Sequence, residues 1–211
     1  MTYLWFIVVA VGAYLIGSIN YSIMLSEVFA GSDIRSKGSG NAGSTNMLRS
    51  FGWKAGVLTL MCDFMKTFVA TLSAWAIFKM YLPDYVRLAT AAAGLFCAIG
   101  HCFPLYFGFK GGKGVAVGAI MILMTDWRCF AVALAVFLLF VLTTRYISLG
   151  STMAGVSYPI SFALIIGLNS LNDILTFILA ITLAVMVIIL HRQNFLRLFK
   201  GQENKFSFKH K

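Results

Sequence analysis

Charged side chains are scarce in this chain: Lys, Arg, Asp and Glu make up 11% of 211 residues, against roughly 25% in a soluble domain. With a mean hydropathy of +0.86, that shortage excludes water as the solvent around most of the chain. Residues 1–26 carry no charge at all, a stretch long enough for a bilayer that needs about 20 apolar residues. They also lack the basic n-region and small-residue cleavage site of a secretory peptide, so a retained first helix is expected. Cysteine is limited to Cys62, Cys97, Cys102 and Cys129. None is spaced as C-x-x-C, so neither a zinc site nor a disulfide framework is signalled. Repeats, low-complexity linkers and gaps wide enough for a second domain are absent too, and one domain over residues 1–211 is expected.

What the chain has in quantity is hydrophobic sequence. Apolar runs cover residues 3–26, 55–78, 88–107, 114–125, 128–142, 152–168 and 174–190. The fold class this implies is an all-α membrane protein, a polytopic bundle of about seven transmembrane helices. The fourth and fifth are short: a dozen residues at 1.5 Å rise cover about 18 Å of a core roughly 30 Å thick, which suits a re-entrant pair. Whether those two span or re-enter, the parity of the others is unchanged. Loops 31–54, 108–113 and 143–151 and the tail 191–211 hold 13 of the 17 basic residues. The positive-inside rule then puts the N-terminus outside and the C-terminus in the cytoplasm. The net charge of +10 is thus a matter of topology, and a nucleic-acid partner is not indicated.

Against this background residues 38–46 stand out, Gly-Ser-Gly-Asn-Ala-Gly-Ser-Thr-Asn. Glycines let a backbone aim successive N–H groups at one point, and Ser, Thr and Asn add neutral donors, so the run suits a phosphate. Arg35, Lys37, Arg49 and Lys54 flank it with positive charge. A second element leads from Gly100-His101-Cys102-Phe103-Pro104 into Phe109-Lys110-Gly111-Gly112-Lys113-Gly114. It is not a Walker A loop, because residue 107 is Phe and Gly114 follows Lys113. The bland reading is a loop whose lysines merely obey the positive-inside rule; the glycines favour an anion site. A third element, residues 145–151 (RYISLGS), is weak alone. After the last apolar run, His191 and Asn194 stand three apart, on one helical face if the helix continues, while Arg192, Arg197 and Lys200 read as headgroup anchors. Asp63 and Lys66 are also three apart, inside an apolar run. A mutually neutralising structural pair is the first reading, and a transport path for anions or phosphate esters is the alternative.

Taken together, GSGNAGSTN at 38–46, GHCFPLYFGFKGGKG at 100–114, RYISLGS at 145–151 and HRQNFLRLFKGQE at 191–203 closely resemble the PlsY family, the bacterial acyl-phosphate:glycerol-3-phosphate acyltransferases. The likeness covers all the basic loops in order. It implies transfer of a fatty acyl group from acyl phosphate to the 1-hydroxyl of glycerol 3-phosphate, giving lysophosphatidic acid and phosphate, on the cytoplasmic face of the inner membrane. By the same resemblance Ser39, Gly40, Asn41, Gly43, Thr45 and Asn46 hold the acyl-phosphate group. Arg49, Lys113, His191 and Asn194 surround glycerol 3-phosphate, with Lys110, Gly111, Gly112 and Ser151 as neighbours.

Acyl phosphate is a mixed anhydride with a good leaving group, so the enzyme has to position the hydroxyl and stabilise the oxyanion; no metal or cofactor is called for. His191 or a substrate phosphate could take the proton. The His-x-x-x-x-Asp signature is absent, since Tyr106 follows His101 and Leu196 follows His191 at the acid's position, and an acyl-CoA donor is disfavoured. Expected partners are membrane lipid and a soluble acyltransferase that produces acyl phosphate.

Overall fold

In hydrocarbon a chain must satisfy its own backbone hydrogen bonds, and helices do so within one segment. Ten α-helices accordingly make up most of residues 2–206, the part described by the computed structural model of this protein. Residues 207–211 of the expected basic tail, like Met1, lie outside the described residues. The helices fall into two compact units, one ending at Thr125 and the other beginning at Asp126.

The first unit holds α1 (Thr2–Gly17), α2 (Tyr21–Ala30), α3 (Ser44–Phe51), α4 (Trp53–Tyr81), α5 (Val86–Cys102) and α6 (Val115–Thr125). α5 is its axis, packed against α1, α4 and α6. Small residues permit this: Ala89, Ala91, Ala93 and Ala98 are fully buried, and a Cβ on Gly17 or Gly100 would overlap the backbone of the facing helix. The outward faces carry Ile7, Val11, Met65, Leu72 and other exposed apolar side chains, whereas Thr59, Asp63, Lys66, Thr67 and Thr71 point inward. That is the distribution a lipid solvent selects.

The uncharged run 3–26, read from sequence as one helix, is interrupted at residues 18–20. Asn20 caps the second piece, its Oδ1 accepting from Ile23 N–H at 3.2 Å and from Ser22 Oγ at 2.7 Å. The break frees carbonyls that hydrocarbon cannot solvate. Lys66 supplies the missing donors, its Nζ donating to Gly17 O at 3.2 Å and to Ile19 O at 2.7 Å. The Asp63–Lys66 pair expected from sequence is present, at 2.8 Å.

The second unit holds α7 (Trp127–Thr144), α8 (Ile147–Ile165), α9 (Leu171–Leu190) and α10 (Arg192–Phe199), with α7 on α8 and α8 on α9. Of the two segments expected to be short, residues 114–125 are so, at 11 helical residues. Residues 128–142 extend to an 18-residue helix, because Asp126 caps the start, accepting from the N–H groups of Arg128 and Cys129, and Arg145 ends it in the left-handed region. Each packs inside its own unit, α6 on α4 and α5 and α7 on α8. Among the described residues, five stretches are long and apolar enough to cross a membrane, Tyr3–Ala30, Trp53–Tyr81, Pro83–Phe107, Trp127–Thr144 and Leu171–Leu190. The chain is a multi-pass, all-helical membrane protein.

Candidate active site

In the first unit, the polar run 38–46 folds around the side chain of one of its own members. Asn46 is 1% exposed. Its Nδ2 donates to the carbonyls of Ile34, Lys37 and Asn41 at 3.3, 3.0 and 3.0 Å, and its Oδ1 accepts from Ser39 N–H at 2.9 Å. Gly38 and Gly40 turn the chain with φ of +53° and +72°, a conformation other residues adopt at a cost. α3 then starts at Ser44 behind Gly43, with no side chain capping it. The amides of Asn46 and Met47 donate to Gly43 O, whereas those of Ser44 and Thr45 precede the first intrahelical acceptor and carry the positive end of the helix dipole, as an anion requires. Ser39 and Gly40 are exposed, Asn41, Gly43 and Thr45 half-buried, and Arg49 lies exposed in the last turn of α3.

The loop between α5 and α6 lies beside this cradle. Arg35 stitches the two together: its Nη1 donates to Phe107 O at 2.7 Å and Lys110 O at 3.2 Å. Its other edge meets Asp33, Nη2 to Oδ2 at 2.6 Å. The hydrogen bond from Arg35 holds the Asp33 carboxyl below its usual range. Arg35 is therefore a structural clamp, although sequence suggested only a source of positive field. An open groove of about 720 Å³ runs along the seam, lined by Arg35, Gly40, Phe107, Gly108, Lys110 and Gly111.

Gly111 and Gly112 do something other than offer amides to a phosphate. Their N–H groups donate to Cys102 O at 3.0 Å and His101 O at 3.1 Å, at the end of α5. A Cβ on either would overlap His101, so the glycines are there for close approach. Lys110 is exposed and Lys113 half-buried. Gly114, at φ +77°, turns the chain into the N-terminus of α6.

In the second unit, the loop before α8 meets the chain after α10, where Phe206 N–H donates to Arg145 O at 2.7 Å. Here Glu203, 8% exposed, accepts from Ser148 Oγ at 2.8 Å, Asn194 Nδ2 at 2.7 Å and Arg197 Nε at 2.9 Å. Burial pushes its carboxyl up, but the three hydrogen bonds outweigh that and hold it below the usual glutamate range. His191 and Asn194 are both buried, but the helix expected to run through them is broken at His191, which ends α9 and caps α10. His191 Nδ1 lies 2.8 Å from Val187 O. A carbonyl only accepts, so Nδ1 carries the proton, and in the neutral ring the basic lone pair is on Nε2. Ser151 is buried, with its Oγ donating to Ile147 O at 2.8 Å within α8.

Sequence reasoning missed Arg35 as a clamp, Ser148 and Glu203. The only hint of Glu203 was a single acid in a basic tail. Among the described residues, no three His, Cys, Asp or Glu side chains are placed to share a metal ion.

The first unit thus presents a glycine-rich helix N-terminus suited to an anion, beside a loop carrying Lys110 and Lys113, and the second presents a buried histidine and asparagine, polar groups of the kind a membrane enzyme acting on small phosphate esters needs. A family model described as glycerol-3-phosphate acyltransferase matches residues 7–201. The protein of that name from Chlorobaculum tepidum is 38% identical over 227 aligned positions, covering 97% of this chain and 98% of its own. Among solved structures, PlsY, an integral membrane glycerol 3-phosphate acyltransferase, superposes in its glycerol 3-phosphate form with a TM-score of 0.83 at 33% identity over 96% of both chains. Its lysophosphatidic acid form gives 0.80 at 30% identity, over 96% of this chain and 95% of that one. The chain belongs to the glycerol-3-phosphate acyltransferase family. It is an acyltransferase, and the alternative of an anion transporter falls.

Proposed function

We propose that this enzyme moves a fatty acyl group from acyl phosphate to the 1-hydroxyl of glycerol 3-phosphate at the cytoplasmic face of the bacterial inner membrane, and that residues 1–211 act as a single acyltransferase domain. The observation that carries the reading is the likeness, over almost the whole chain, to PlsY in forms named for glycerol 3-phosphate and for lysophosphatidic acid. Substrate and product then differ by one acyl group. In the first unit, the cradle of Ser39, Gly40, Asn41, Gly43 and Thr45 takes the phosphate of the acyl donor, with Asn46 shaping it from inside. Arg49, Lys113, His191 and Asn194 take glycerol 3-phosphate, and Lys110, Gly111, Gly112 and Ser151 support them.

In the reaction, the 1-hydroxyl oxygen bonds to the acyl carbon, the bond from that carbon to the phosphate oxygen breaks, and phosphate leaves with the electron pair. The hydroxyl proton goes to His191 Nε2, which the Nδ1 hydrogen bond to Val187 leaves as the basic nitrogen. Phosphate is a good leaving group, so neither a covalent acyl-enzyme nor a metal is needed. A soluble acyltransferase that makes acyl phosphate is the supplier this donor calls for, and the basic loops are the surface it would meet.

Purified full-length enzyme given acyl phosphate and labelled glycerol 3-phosphate should produce labelled lysophosphatidic acid and inorganic phosphate, with turnover unchanged by EDTA. Comparable rates with acyl-CoA, or activity lost to the chelator and restored by magnesium, would overturn the donor assignment.

A further inference from the structure

Beneath the two loops of the first unit lies a buried side-chain cluster that the reaction above does not use. His101, in the last turn of α5, is 3% exposed and Lys66 is 4% exposed. Lys66 Nζ donates to Gly17 O and Ile19 O and lies 3.1 Å from His101 Nδ1. Asp63 Oδ1, 2.8 Å away, balances the charge as a counter-ion. His101 Nδ1 also lies 3.4 Å from Asp63 Oδ1, so the ammonium and the carboxylate together hold that edge of the imidazole, and its other nitrogen, Nε2, is on the far edge. That second nitrogen faces Gly112: a Cβ there would overlap Nε2 and come within 2.8 Å of Ala42 O. His101 also holds Gly112 through its own carbonyl, at 3.1 Å. His101 thus reaches the helix break through Lys66 on one side and, on the other, touches Gly112 where it meets Ala42.

We propose that Lys66 and His101 are positioning residues for acyl transfer. The ammonium, pinned by the carbonyls of the α1–α2 break, fixes the imidazole, and the imidazole sets the spacing of the two loops that bind phosphate. Neither residue touches substrate. A pair serving only to neutralise buried charge would need no third member reaching Gly112, and one serving only to mend the broken helix would need no histidine. The proposal rests on the acyltransferase reading.

Two variants test it. His101→Asn keeps a polar amide near the position of Nδ1 but withdraws from Gly112; His101→Gln reaches Gly112 with an amide donor. Both are purified as monodisperse full-length protein, and melting temperature, kcat and KM for glycerol 3-phosphate, and binding of inorganic phosphate by calorimetry are measured. The expected result is a folded His101→Asn enzyme whose kcat/KM falls by about tenfold to a hundredfold, the scale of a misplacement near 1 Å. Its phosphate binding weakens in parallel, and His101→Gln recovers most of both. A folded His101→Asn enzyme with the parent's kinetic constants would overturn the proposal, as would loss of folded protein in both variants, which would make the cluster purely structural. An inactive parent would sink the acyltransferase reading with it, whereas an active parent with unaffected variants sinks this proposal alone.

Discussion

At the scale of single residues, charge and burial separate the side chains that meet substrate from those that build the place where substrate sits. Lys113 is in the first group by our reading: a charge-assisted contact to phosphate contributes on the order of 1.5 to 3 kcal/mol. Lys113→Ala should therefore lower kcat/KM by at least about tenfold, and further if the contact strengthens in the transition state. Lys79, exposed near the end of α4 with its Nζ 5.9 Å from the Trp75 ring, is the matched control. Lys79→Ala changes net charge equally and should leave acyl transfer intact; equal activities in the two variants would refute the role of Lys113. Asn46 is in the second group. Its amide is occupied inside the loop by four contacts, so Asn46→Ala strands buried carbonyls and Ser39 N–H at about 1 to 3 kcal/mol. That variant should show a lower melting temperature together with lost activity, whereas Lys113→Ala loses activity alone. A melting curve unchanged by Asn46→Ala would show that the loop does not depend on it.

At the scale of elements, the link between the start of α8, α10 and the chain that follows depends on one carboxylate. Glu203 ties Ser148 to Asn194 and Arg197, and those donors hold its folded pKa below the ordinary value of 4.5. A depressed folded pKa contributes stability that is complete above the ordinary value and is lost as pH falls through the lower folded value. Glu203→Gln should consequently melt at a lower temperature than the parent at pH 7. The gap should shrink as both are acidified from pH 4.5 downward. A gap that is independent of pH over that range would show that the carboxylate's charge is not what holds the link. Sequence pattern picked out His191 and Asn194 by a helical spacing of three, but the helix breaks at His191. It could not place Glu203 against Asn194, because that contact depends on how the chain turns back after α10.

At the scale of the whole molecule, the distribution of charge is the basis for the proposed orientation. Within the first unit, loops 31–43 and 103–114 share one end, joined through Arg35. Within the second, loop 145–146 and the chain near residue 206 share one end. Each pair consists of loops that the positive-inside rule sends to the same side. Single cysteines at positions 37, 110 and 202, all exposed, should be unreactive toward an impermeant thiol reagent in intact cells. One at position 171, also exposed, should react. The reverse pattern would invert the proposed orientation and remove the cytoplasmic site.

Composition and order alone determined that this is a helical membrane protein and where most of its loops fall, and the resemblance of four motifs to a known family implied an acyltransferase. Those features are local: a lipid solvent imposes apolar runs, and phosphate imposes glycine, amide and cation at short spacing. Tertiary structure alone decided what the individual polar groups do. Gly111 and Gly112 read as phosphate donors until the end of α5 is seen to take their N–H groups. Asp63 and Lys66 read as a self-contained pair until a helix break presents Lys66 with two bare carbonyls, 49 and 47 residues away in sequence, and His101 packs against the ammonium. A donor's partner is set by distance in space, and in a membrane every buried donor and acceptor must find one, so residues remote in sequence are drawn together by the same demand that makes the helices form.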